Sequence, residues 1–110
     1  FKETKLPIPL GVDLVNRKFD IDVRQKLTDV FYNSVKFAID NEDEALKYAM
    51  EFGRNLSFEE ARKFVRMYVN SDTLDMGKDG YEAILKLFNL AKERGIISEI
   101  PEIDLIFPKY

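Results

Sequence analysis

The chain has 110 residues, 34% of them charged, with 17 Lys and Arg against 20 Asp and Glu and a net charge of −3. That length fits one domain with a single core, and an acidic balance argues against a nucleic-acid binder, which needs a clustered basic face. There is no cysteine and no histidine, which excludes disulfides, thiolate chemistry, zinc sites of the usual nitrogen and sulfur kind and every nucleophile–histidine triad.

No run approaches the roughly 18 apolar residues of a membrane helix, and no charged start leads into an apolar signal core. A cytoplasmic protein without membrane partners is therefore expected, and the lack of cysteine suits that compartment. The chain opens at Phe1 without an initiator methionine, and nine Phe and five Tyr supply more apolar side chain than small helices usually hide. Both features suggest part of a larger protein, although a Phe-rich core accounts equally well for the aromatics.

Residues 1–19 read as an extended crossing segment. Leu6-Pro7-Ile8-Pro9-Leu10 holds two prolines that fix φ and remove two backbone donors. After Gly11, the apolar run 12–15 predicts a short strand. It suits a crossing between two bodies and a plain edge strand alike.

Residues 20–95 predict four helices. Asp20 or Asp22 caps the first, which runs to about Asp40 with Val23, Leu27, Val30, Phe31, Val35 and Ala38 on one stripe. The second covers about 43–52, with Gly53 placed for a left-handed cap. Ser57-Phe58-Glu59-Glu60 is a capping box for the third, whose inner face is Phe58, Ala61, Phe64, Val65 and Tyr68. Arg62, Lys63 and Arg66 lie off that face and read as a solvated basic run. The fourth spans about 77–94, with Tyr81, Ile84, Leu85, Phe88 and Ala91 inward and Gly95 as its stop. Residues 96–110 return to an extended tail, in which 103–107, bracketed by Pro101 and Pro108, resembles a short strand or a docking arm.

The segment from Tyr68 to Gly80 concentrates Asn, Ser, Asp and Thr ahead of a helix. Turn and capping chemistry accounts for most of it; the alternative is a polar loop aimed at a cleft. Asp72, Asp75 and Asp79 lack the two-residue alternation of a calcium loop, and Gly77-Lys78-Asp79-Gly80 lacks the phosphate-loop pattern. Acidic pairs such as Glu42/Asp43 and Glu59/Glu60 sit in first helical turns, where the helix dipole favours them. The residues by themselves place no reaction here.

An ordered series nevertheless resembles a family. It comprises Leu6-Pro7-Ile8-Pro9-Leu10-Gly11-Val12, Arg17, Ser34-Val35, Glu44-Ala45-Leu46-x-Tyr48-Ala49 and Met67-Tyr68-Val69-Asn70. It continues through Thr73-x-Asp75-x-Gly77-x-x-Gly80, Ala83-Ile84 and Ala91-x-x-x-Gly95-Ile96. The chain is similar throughout to the C-terminal portion of the 1,4-dihydroxy-6-naphthoate synthases of the futalosine route to menaquinone. The resemblance implies an α/β parent fold like that of type II periplasmic binding proteins, of which this chain would be a mostly helical part with one or two short strands. It implies a carbon–carbon lyase that splits cyclic de-hypoxanthine futalosine into 1,4-dihydroxy-6-naphthoate and a dihydroxyacetone fragment, without metal or cofactor. The family's base is a histidine preceding this segment, so no catalytic residue is assigned here. Pro9, Leu10 and Gly11, on a strand that would line the cleft, and Asn70 in the polar loop are the candidate substrate-binding residues. The implied partners are the N-terminal lobe of the same enzyme and a small-molecule substrate, with a homo-oligomer also compatible. A solute-binding module of the same fold and a relative of chorismate dehydratase are the alternatives, as is an independent helical interaction domain.

Overall fold

A computed structural model describes residues 3–109. Five helices follow in order: α1 (Ile21–Asp40), α2 (Glu42–Met50), α3 (Phe58–Tyr68), α4 (Ser71–Leu74) and α5 (Gly77–Glu93). None is long and apolar enough to cross a membrane. The mostly helical content agrees with the sequence. The two expected strands do not: among the described residues, 12–15 and 103–107 have no regular secondary structure and belong to no sheet. A strand needs a neighbour for its backbone groups, and neither segment has one. The tail also has the wrong period, because its half-buried Ile97, Ile100, Ile103 and Ile106 recur every three residues. A strand alternates every two.

Local chemistry sets the helix ends. Asn41 closes α1 with its N–H donating to the Phe37 carbonyl at 2.9 Å, and its own carbonyl accepts from Ala45 N–H to start α2. α3 opens on the expected box: Glu60 N–H donates to Ser57 Oγ at 3.2 Å, and Ser57 N–H to Glu60 Oε2 at 2.8 Å. α5 stops at Gly95, φ +70°, where Gly95 N–H reaches the Lys92 carbonyl and Ile96 N–H the Ala91 carbonyl, a Schellman pair. Gly53 departs from expectation. The left-handed conformation after α2 falls instead on Asn55, φ 57°, while Glu51, Phe52 and Gly53 each donate three residues back in a tightened last turn. The short α4, inside the polar segment, is an element that sequence periodicity did not show.

Three hydrophobic residues are buried among those described: Leu46 on α2, Ala61 on α3 and Ala83 on α5. An ion cluster joins α2 to α3. Arg66 donates bidentately to Glu42, Nε to Oε1 at 2.6 Å and Nη2 to Oε2 at 2.7 Å. Arg62, with only 17% of its side chain exposed, reaches Glu42 at 2.6 Å and Asp43 at 2.7 Å and lies over the Phe58 ring. The run expected to be solvated is therefore, at Arg62 and Arg66, the fastening between two helices. The Arg66 guanidinium, then Arg62, lowers the Glu42 pKa to about 2 despite partial desolvation. A carboxylate depressed in the folded state stabilises it fully above the ordinary carboxylate pKa and loses that contribution as pH falls towards 2. The melting temperature should therefore drop progressively below about pH 4.5. Glu42→Gln should remove part of that slope, and an unchanged slope would mean the cluster contributes nothing.

α1 buries no residue. Its apolar stripe faces outward, with Val23, Leu27 and Phe31 more than 40% exposed and Val30 at 68%. The covered flank carries Gln25 and Asp29, where the tail lies. The accessible surface is 9160 Å², against about 6,300 Å² for a compact monomer of 12.9 kDa. The Cα radius of gyration, 16.5 Å, likewise exceeds the roughly 13 Å of a compact chain of this length.

Candidate functional site

The segment entering the fold lies along α5. Glu3, Thr4, Leu6, Pro7, Ile8 and Pro9 on one side, and Ala83, Lys86, Leu87 and Leu90 on the other, line a mainly apolar groove of about 460 Å³. Pro7 and Pro9 have no N–H, so this wall offers carbonyl acceptors and apolar surface and few donors. Leu6 N–H is already used by Thr4 Oγ1 at 3.2 Å.

Of the expected binding residues, Pro9 lines the groove. Leu10 is 63% exposed beyond it, and a Cβ added to Gly11 would meet nothing within 4 Å. The opposite wall was not anticipated, although Ala83, Leu87 and Leu90 recur at four- and three-residue steps. That second apolar stripe on α5, beside the one at Tyr81, Ile84 and Leu85, was the available signal.

Asn70 lies elsewhere, at the start of α4. Its N–H donates to Thr73 Oγ1 at 3.1 Å, its Oδ1 accepts from Asp72 N–H at 2.9 Å, and its Nδ2 donates to the Arg66 carbonyl at 3.1 Å. The Thr73 hydroxyl in turn donates to the Tyr68 carbonyl. Asp75 Oδ1 accepts from Gly77 N–H at 2.9 Å, helping Gly77 adopt φ +62° as the first residue of α5. Gly80 leaves no room for a Cβ, which would stand 2.7 Å from Met76 Cβ. Each polar group described here serves a helix junction. Asn70→Ala should therefore lower stability by about 1 kcal/mol through the lost cap and leave substrate affinity unchanged. A raised KM without a fall in melting temperature would instead put Asn70 against the ligand.

Chemically, the groove can hold an apolar ring edge, with the Lys86 ammonium and the Glu3 carboxylate among its residues. It presents no imidazole, and among the described residues no three acidic groups gather as a metal would require. The displaced pKa values belong to structural pairs: the Ser57 backbone lowers Glu60, and the bond to Asp40 raises Lys36.

A family model described as menaquinone biosynthesis matches residues 1–93. The chain is similar to the 1,4-dihydroxy-6-naphthoate synthase of Streptomyces coelicolor, 33% identical over 96% of this chain and 37% of the relative. It is 34% identical to that of Thermus thermophilus over 91% of this chain and 37% of the relative. Among solved structures, protein AF1704 of Archaeoglobus fulgidus superposes with a TM-score of 0.83 at 38% identity, covering 87% of this chain and 36% of that one. The chain thus spans just over a third of the length of these relatives.

Proposed function

The chain belongs to the menaquinone-biosynthesis family, and from that premise we propose that it forms the C-terminal part of a 1,4-dihydroxy-6-naphthoate synthase. The observation that carries the proposal is identity of 33–34% to two proteins of that name over more than nine-tenths of this chain. The parent fold would be the two-lobed α/β architecture of type II periplasmic binding proteins. The outward apolar stripe of α1 and the excess accessible surface support a second body packed against these helices. That body would be the N-terminal lobe of the same enzyme.

The reaction is carbon–carbon lysis of cyclic de-hypoxanthine futalosine to 1,4-dihydroxy-6-naphthoate. It needs a base within hydrogen-bond reach and a site that excludes water. Groups around the groove supply one wall: Pro9 and the Leu10-Gly11 backbone beyond it orient and shield an aromatic substrate without moving its protons. The base comes from a histidine outside this chain. The absence of cysteine suits a reducing compartment, and the cytoplasm is where we place the reaction.

A naphthoate-release assay tests this. The 110-residue chain alone should show no turnover, and mixing it with the preceding lobe should restore activity. Turnover by the chain alone would make a carboxylate, lysine or tyrosine here the base and overturn the assignment.

A further inference from the structure

The tail solves a bonding problem in one direction only. The tail beyond Pro101 belongs to no helix or sheet, so its backbone groups must find partners elsewhere. Three of them find side chains from one short stretch of sequence. Arg17 Nη2 donates to the Glu102 carbonyl at 3.1 Å, Gln25 Nε2 to the Phe107 carbonyl at 2.7 Å, and Lys109 N–H to Asp29 Oδ1 at 2.7 Å. Arg17 also pairs with the Asp104 carboxylate at 3.0 Å and, more distantly, with Glu102 at 3.9 Å.

The stretch that Arg17 belongs to is otherwise loose. Between the groove residue Pro9 and the start of α1, Val12 and Leu14 are 51% and 88% exposed. Within the stretch, Phe19 N–H donates to the Asn16 carbonyl and Lys18 N–H to Asn16 Oδ1. Apart from the Asp20 carbonyl, which accepts from Arg24 N–H as α1 begins, its hydrogen bonds to another element among the described residues are those of Arg17.

We propose that the C-terminal tail is a strap that holds the groove-lining segment in place, and that Arg17 is the positioning residue through which it sets substrate affinity. The proposal rests on the reading that Pro9 to Gly11 face the substrate. With the tail fastened at Glu102 and Asp104, the segment from Pro9 to Arg17 is held at both ends. Released, it has no fixed point between the groove and Asp20, where α1 begins. Arg17 touches no reacting atom, so it acts on KM and not on kcat.

The test is amide hydrogen exchange together with steady-state kinetics on the complete gene product. Arg17→Ala and, separately, Asp104→Asn should speed exchange across residues 12–19 and 100–107 by about two- to fivefold, the range expected for losing an exposed ion pair. Exchange in α2 and α3 should not change. KM should rise by a similar factor at constant kcat, and the charge-reversed double variant Arg17→Asp with Asp104→Arg should recover part of both, the share of the Arg17–Asp104 pair, because an aspartate cannot donate to the Glu102 carbonyl. Unchanged exchange in the two single variants, or a fall in kcat at constant KM, overturns the strap. Faster exchange with unchanged KM keeps the strap but removes Pro9 to Gly11 from the substrate site, so the two readings fail separately.

Discussion

Leu46→Ala should destabilise the fold by about 2–5 kcal/mol, the range for deleting a packed leucine and leaving a cavity. Leu46 is 2% exposed and is the largest fully buried side chain among the described residues. It sits on α2 where the ion cluster also draws α3 in, so the surrounding helices are held and cannot collapse freely into the space. With domain stabilities of about 5–15 kcal/mol, one such change removes a large share of the total. Two comparisons calibrate the result in the same denaturant titration. Ser57→Ala should cost about 1 kcal/mol through its cap. Leu27→Ala, which sequence periodicity places mid-stripe on the longest helix, should fall well below the Leu46 value because that side chain is 45% exposed. Equal losses at Leu27 and Leu46 would mean that α1 turns its stripe inward after all.

The isolated chain should bind a hydrophobic dye strongly and self-associate. It exposes roughly 2,900 Å² more total surface than a compact monomer of its mass, and contiguous exposed apolar side chains of the kind soluble monomers keep small are part of it. Val23, Leu27, Val30 and Phe31 form a continuous part of that excess along α1, and Phe64, Met67 and Tyr68 add an uncovered side of α3. Replacing Leu27 and Val30 by lysine should cut dye fluorescence and move the chain towards monomer in sedimentation, while leaving its helical circular dichroism intact. Adding the proposed N-terminal lobe should do the same. A dye-silent monomer would show that the stripe needs no cover and would remove the main structural support for a second body.

Much of this protein was legible before folding because helix formation is short-range. The 3.6-residue period, the Ser57–Glu60 box and the Gly95 stop depend on groups within one turn of each other, and all three stand in the structure. The polar segment 68–80 was legible in kind, as capping chemistry, although the four-residue α4 is too short for periodicity to reveal. The resemblance to the synthases rests on the same linear order of residues. What the sequence could not determine is which surfaces find a partner. An apolar stripe predicts burial only if something comes to cover it, and α1 keeps its stripe outward because nothing in these residues does. Arg62 and Arg66 read as solvated until Glu42, some twenty residues earlier, is brought beside them. The tail's isoleucines suggest a strand, yet a strand exists only with a neighbour to share its hydrogen bonds. Here the partners are Arg17, Gln25 and Asp29, more than 75 residues away in the chain, and only the tertiary structure decides that contact.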